Sequence, residues 1–279
     1  MINFSEGLKP GMVAVVGIPF DAHSSFMQGP ALAPARIRGT WKAGACNLCS
    51  ESGIALDTHP DFVDLGDIDI GKGSAVIKTI ERTIAELLSH DMRIISLGGD
   101  HAITYPILKS YAKKFDRLDL LHLDAHPDLY DTYDGNRYSN ACPFARIMEE
   151  KLASRLVQVG IRTLNPHQKQ QAQRFGVEII NMQNLQQATS IQWKNPVYLS
   201  IDLDVLDPAF APGVSHHEPG GMSTRRLIDL IQGLQVPIAG ADIVEFNPKR
   251  DSSEITAMAA VKILKEVAAR MLELPISLG

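Results

Sequence analysis

Residues 118–128 read Leu-Asp-Leu-Leu-His-Leu-Asp-Ala-His-Pro-Asp, an apolar run that ends in Asp124, His126 and Asp128. Side chains two apart on a strand point to the same side. An i, i+2, i+4 set of Asp, His and Asp therefore converges if the extended path continues past the run, and that is a metal-ligand spacing. Taken alone, the stretch also suits a strand that breaks into an Asp-rich turn at Pro127. A second run weighs against that alternative: residues 197–207 read Val-Tyr-Leu-Ser-Ile-Asp-Leu-Asp-Val-Leu-Asp and present Asp202 and Asp204 two apart. A third, Arg-Ile-Ile-Ser-Leu-Gly-Gly-Asp at residues 93–100, delivers His101 where helix-like sequence begins. Its glycines permit a tight turn at the strand end.

Acids gathered at buried strand ends repel one another and lose hydration. Neither acidic run contains a lysine or arginine, so bound cations are the natural compensation. The four carboxylates of Asp124, Asp128, Asp202 and Asp204 balance two divalent ions. Together with His101 and His126 they form a mixed nitrogen and oxygen set that suits manganese, with zinc, iron, cobalt or nickel as alternatives.

Outward from these runs the chain alternates strands and helices. Residues 12–20 form a buried strand closed by Pro19. A Gly- and Pro-punctuated loop over 21–38 leads to a short helix around Ala35, with Asp21 and His23 read as bracing the loop in preference to approaching the site. Residues 39–60 show no periodicity and are expected to be irregular. A strand over 62–68 precedes a helix capped by Ser74, with Val76, Ile80, Ile84 and Leu87 on one face. Further helices are predicted through Lys113, over 143–151 and 166–175, and from a Ser223 cap to Gln235. Further strands are predicted over 156–161, 177–180 and 238–244, the last ending at Glu245. A final helix carries Met258, Val261, Leu264, Ala268 and Met271 as a core stripe. This alternation predicts a three-layer α/β/α fold with a mostly parallel central sheet. In such sheets ligands bind beyond the carboxyl ends of the strands, where all six candidate ligands and Glu245 fall.

The 279 residues and their 45% hydrophobic content suit one large domain over 1–279, since no linker divides the chain. A net charge of -5 argues against nucleic acid or an anionic membrane as partner. The first ten residues lack the features of a signal peptide, and no apolar run is long enough to span a bilayer. With three cysteines and no sign of secretion, a reducing cytoplasm is expected. Cys46 and Cys49 form a Cys-x-x-Cys without a second pair, read as buried or incidental rather than as a redox or zinc site. There is no Gly-x-Ser-x-Gly elbow and no Walker-type phosphate loop.

Several motifs, in order and over nearly the whole chain, resemble the ureohydrolase family of arginases and agmatinases. They are Gly17-Ile18-Pro19-Phe20-Asp21 with Gly29-Pro30 and Ile37-Arg38, Gly98-Gly99-Asp100-His101, Asp124-Ala125-His126-Pro127-Asp128, Ser200-Ile201-Asp202-Leu203-Asp204 with Asp207-Pro208, and Asp242-Ile243-Val244-Glu245. The wording of residues 214–221 and 240–251 looks closest to plant-type members. The resemblance implies an arginase-like fold, a binuclear manganese centre held by His101, Asp124, His126, Asp128, Asp202 and Asp204, and assembly as homotrimers or homohexamers. A guanidinium is a poor electrophile, and two divalent ions can activate water against it at neutral pH. Glu245 suits the cationic guanidinium and Asp128 the attacking water.

One departure stands out. Family members usually carry a His, regarded as a proton shuttle or substrate-orienting group, where this chain has Asn140, and Asn cannot titrate near neutral pH. Substrate recognition would fall to the loops at 131–139 and 162–168, with Asn136 and Asn165 as contacts, and to His216. These residues do not separate arginine, agmatine and guanidinobutyrate. Hydrolysis of agmatine to putrescine and urea is the expectation, with arginine, guanidinobutyrate or free guanidine as alternatives. A metal-dependent amidase acting on a formimino group is a second hydrolase reading. A non-catalytic protein that binds metal and guanidino ligands is a third, motivated by Asn140.

Overall fold

Most of the apolar runs are short and buried on both faces, which is the pattern of strands inside a parallel sheet, and the two at its edges are only partly buried. In the computed structural model, which describes residues 8–71 and 73–276, they become β1 (Val13–Ile18), β2 (Phe62–Asp67), β3 (Arg93–Gly98), β4 (Asp119–Leu123), β5 (Arg155–Ile161), β6 (Glu178–Asn181), β7 (Val197–Asp202) and β8 (Ile238–Val244). All join one sheet in the order β2-β1-β3-β8-β7-β4-β5-β6, and every pairing is parallel.

The alternation of side chains along each strand divides the interior into two cores. Val13 and Val15 of β1 and Ile95 and Leu97 of β3 face one side. There they meet α1 (Ala33–Lys42), α6 (Thr224–Gly233) and α7 (Ile255–Glu273). Ala14, Val16 and Ile94 face the other, covered by α2 (Val76–Ser89), α3 (Thr104–Lys114), α4 (Pro143–Glu149) and α5 (Pro166–Phe175). The three-layer α/β/α arrangement is therefore the observed one.

Several boundaries shift. The first helix runs on to Lys42, into the stretch read as irregular. The helix begun at Pro143 stops at Glu149. The Ser223 cap is present, its hydroxyl accepting from the Arg226 amide at 3.2 Å, but α6 ends two residues before Gln235. The α2 stripe is buried as expected, whereas the side chain of Ser74, its expected cap, lies outside the described residues. Met258 is only partly buried, unlike the rest of its stripe. The 3-10 turns over Met182–Ser190 were not foreseen, because their polar sequence carries no apolar period.

Strand order positions the site. The first three strands form one half of the sheet and β4, β5 and β6 the other, while β8 and β7 close the gap between them. The winding reverses there, and such reversals open crevices at the carboxyl ends. The four central neighbours β3, β8, β7 and β4 are the strands that lead into His101, Glu245, Asp202 and Asp124. Gly99 fixes how closely this end packs. A Cβ at that position would sit 1.6 Å from the Phe20 carbonyl oxygen.

Candidate metal centre

Three of the acids at the centre, Asp124, Asp202 and Asp204, each anchor one oxygen to a backbone amide. Asp202 Oδ1 accepts from the Asp204 amide at 2.8 Å, and Asp204 Oδ1 accepts from the Ala125 amide at 3.1 Å. Asp124 Oδ1 accepts from the His126 amide at 2.5 Å. The second oxygens then converge on imidazole. His101 Nδ1 lies 3.2 Å from Asp124 Oδ2, 3.2 Å from Asp128 Oδ2 and 3.3 Å from Asp202 Oδ2. His126 Nδ1 lies 2.9 Å from Asp204 Oδ2 and 3.4 Å from Asp124 Oδ1. Asp124 thus serves two adjacent clusters with its two oxygens, and the structure brings all six candidate ligands together.

The tautomer of His101 follows from its other nitrogen. Ser200 Oγ donates its one hydrogen to Asp242 Oδ1 at 2.6 Å, so it can only accept from His101 Nε2, 2.9 Å away. The proton therefore sits on Nε2, and Nδ1 is left as a lone pair. That Nδ1 is fully buried and makes no hydrogen bond. A buried lone pair facing three carboxylate oxygens fits a divalent cation, and the donor set of His126, Asp124 and Asp204 beside it fits a second.

The electrostatics are those of a site built around positive charge. Burial, aided by Asp124, lifts the Asp128 carboxyl to about 7. Burial and the charges of Asp204 and Asp124 push Asp202 well above the carboxylate range. Burial opposes a charged His101, but the carboxylates of Asp124, Asp128 and Asp202 outweigh it and raise its affinity for a proton. A cation would relieve both kinds of shift at once.

His122 also belongs to this centre, although its sequence reading gave it no role. It stands two residues before Asp124 on β4, so the period of the strand already places both on one side. Its ring stacks on Phe144 at 3.7 Å, and Gln158 Nε2 donates to its Nδ1 at 3.0 Å. Its Nε2–H then donates to Asp124 Oδ2 at 2.7 Å. Burial depresses its pKa to about 4, so it acts as a neutral donor that orients Asp124.

Glu245 is buried, with Oε1 accepting from the His101 amide and from Asn140 Nδ2, both at 2.9 Å. Asn140 Oδ1 in turn accepts from the Ser25 amide at 2.9 Å. Both Asp128 and Glu245 adopt left-handed backbone conformations, with φ of 48° and 63°. Above His126 opens a cleft of about 200 Å³ walled by Ser25, Tyr130, Tyr133, Thr163, His216 and Glu218. His216 lines it as expected, its ring 5.6 Å from that of His126. Asn165 does not: its Oδ1 caps α5 through the Gln168 amide and its Nδ2 donates to the Tyr130 hydroxyl. Asn136 faces a neighbouring cavity and accepts from the Tyr138 amide. Arg162 is consumed by the carbonyls of Asp204 and Glu218, and Arg137 by Asp131 and Glu149. Asp21 braces its loop as expected, accepting from the amides of Gly29 and Ala31. A larger open groove of about 1150 Å³ lies at the amino-terminal ends of β4 and β5, beside the Arg155–Glu178 pair, away from the ligand set.

A model of the arginase family matches residues 12–269. The chain belongs to the arginase family. It is 42% identical to a protein named arginase 1, mitochondrial, from Arabidopsis thaliana, covering 97% of this chain and 84% of that one. It is 32% identical to an agmatinase of Bacillus cereus, covering 95% and 94%. Among solved structures, an arginase from Medicago truncatula superposes with a TM-score of 0.88 at 40% identity, over 94% of this chain and 87% of that one. The arginase-family assignment makes the chain an amidinohydrolase. No helix among the described residues is long and apolar enough to cross a membrane.

Proposed function

We propose that this chain is a binuclear-metal amidinohydrolase that cleaves the guanidino C–N bond of L-arginine and releases urea. The observation that carries the reading is the pair of clusters sharing Asp124, with His101 Nδ1 aimed at three carboxylates. His101, Asp124, Asp128 and Asp202 would hold one divalent ion, and Asp124, His126 and Asp204 the other, with manganese the proposed metal. When bound, the ions supply the charge that makes water a competent nucleophile at neutral pH. Glu245 receives the guanidinium, since both of its present bonds fall on Oε1 and Oε2 remains for the cation. Asn140 holds Glu245 in place. Asp128 accepts a hydrogen bond from the attacking water and then from the tetrahedral carbon's substituents.

The choice of arginine over the expected agmatine rests on two supports. Relatives at 40–42% identity are named arginases, against 31–32% for those named agmatinases. The cleft also offers hydroxyls from Ser25, Tyr130 and Tyr133 to a carboxylate and the Glu218 anion to an ammonium, the two groups of an α-amino acid. His216 is the proposed wall against the substrate's chain. The protein is further proposed to form one domain, to assemble as a homotrimer or homohexamer, and to work in a reducing compartment such as the cytoplasm, in keeping with its three free cysteines.

The test is urea release by manganese-loaded protein from arginine, agmatine, guanidinobutyrate and guanidine. Turnover of arginine above the others supports the proposal, and preference for agmatine overturns the substrate assignment. Tight binding of guanidino ligands without urea would instead favour a non-catalytic binding protein.

A further inference from the structure

Hydrolysis of a guanidinium to urea moves both hydrogens of the attacking water onto the leaving nitrogen. Some group must accept a proton early and return it late. Asn140, bonded to Glu245 and Ser25, has no proton to exchange. The nearest loop supplies a candidate that does. The His23 carbonyl accepts from the Asn140 amide at 3.0 Å, and its own amide donates to Asp100 Oδ2 at 3.0 Å. Those two bonds pin its backbone between residue 140 and the turn that carries His101. The imidazole packs edge-on against Phe20 at 5.0 Å, and its Nδ1 is buried without a partner. The ring lines a cavity of about 140 Å³ together with Ser25 and Tyr133, and both of these also wall the cleft above His126. The two spaces therefore share walls.

We propose that His23 is the proton-relay residue of this enzyme, exchanging protons with the cleft through water in the adjoining cavity and replacing the function that Asn140 cannot perform. The inference rests on the guanidino hydrolase reading above. In the step, the water oxygen bonds to the guanidinium carbon, one of its protons passes to neutral His23, and the other is taken by Asp128. The C–N bond then breaks with its electron pair going to the leaving nitrogen, and the imidazolium and Asp128 each return a proton there. Urea and an ammonium result, and His23 and Asp128 are back in their starting forms. The charged and titratable groups facing it are Asp134 and Tyr133 across the cavity and Asp100 at its amide. Burial lowers its pKa, which the Tyr138 carbonyl partly offsets, so the ring rests neutral at pH 7 and, once protonated, gives its proton up readily.

The experiment compares the manganese-loaded wild type with His23→Asn, His23→Ala and the exchange pair His23→Asn with Asn140→His. General acid–base groups contribute about 10²–10⁴-fold, so kcat for urea release should fall at least about 10²-fold in both single variants. KM, bound metal and melting temperature should stay unchanged. Added imidazole should restore turnover in His23→Ala with a dependence on imidazole protonation, and the exchange pair should regain most of the lost kcat. Single variants that turn over like wild type, or that lose activity together with metal and are rescued by neither route, overturn the relay. A wild type that releases no urea from any guanidino compound overturns the underlying reading instead, so the two failures are distinct.

Discussion

Removing one oxygen atom, in Ser200→Ala, tests the architecture of the centre. Among the described residues the Ser200 hydroxyl is the only partner of His101 Nε2 and of Asp242 Oδ1, while Asp242 Oδ2 keeps Thr104 and Tyr198 at 2.9 Å each. The variant therefore leaves two fully buried groups unsatisfied, each costing about 1–3 kcal/mol. The space vacated by one hydroxyl is smaller than the roughly 30 Å³ share of a water molecule, so solvent cannot repair the gap. A total loss of about 2–6 kcal/mol in unfolding free energy is expected. Without an acceptor for Nε2–H, the tautomer that bares Nδ1 is no longer enforced, and metal affinity should fall about 10- to 100-fold. Chelator competition reads the affinity and urea denaturation the stability. Ser96→Ala is the control, since Ser96 is buried on β3, across β8 from Ser200, but its hydroxyl has no partner among the described residues. Its loss should leave metal affinity unchanged and should not lower stability. If Ser200→Ala matched Ser96→Ala in both assays, the Asp242–Ser200–His101 chain would have no part in holding the ligand.

Asp124→Asn should empty both metal positions rather than one, because each cluster uses a different Asp124 oxygen, and elemental analysis should find fewer than one ion per chain with urea release down at least about 10²-fold. Gly99→Ala drives a methyl into the Phe20 carbonyl and should cost at least about 1–3 kcal/mol, read as a lower melting temperature or lost soluble yield. An unchanged melting temperature would contradict the packing at that strand end. Glu51 is held to a pKa of about 2 first by the Arg225 guanidinium and then by Lys262 and Gln232, against 4.5 ordinarily. A depressed carboxyl pKa stabilises the fold above the ordinary value, and that contribution disappears as pH falls through the depressed one. The stability advantage of wild type over Glu51→Gln should thus be full above pH 4.5 and shrink as the pH is lowered toward 2. An advantage constant down to pH 3 would refute it.

The strands and the convergence of the candidate ligands were legible because both rest on local period: burial on two faces gives continuous apolar runs, and a spacing of two puts Asp124, His126, Asp202 and Asp204 where they are found. Asn165 was misread because the residue that caps a helix and the residue that contacts a substrate have the same chemistry, and only the start of α5 at Pro166 separates the two. His122 could have been found by extending the same period backward from Asp124. The Asp242–Ser200–His101 chain could not, since it joins three strands whose order is set by the fold rather than by sequence distance.

Asp128 and Glu245 occupy backbone geometry that disfavours any side chain by about 1–2 kcal/mol, and each is a position where glycine would relax the chain. Asp128→Gly and Glu245→Gly should therefore lose function while easing the main chain. A search for tolerated, stabilising substitutions would be drawn to the two residues proposed for the chemistry. If they carry those roles, folding stability and catalysis pull in opposite directions at the carboxyl ends of the central strands, and a stabilised derivative should be sought away from them.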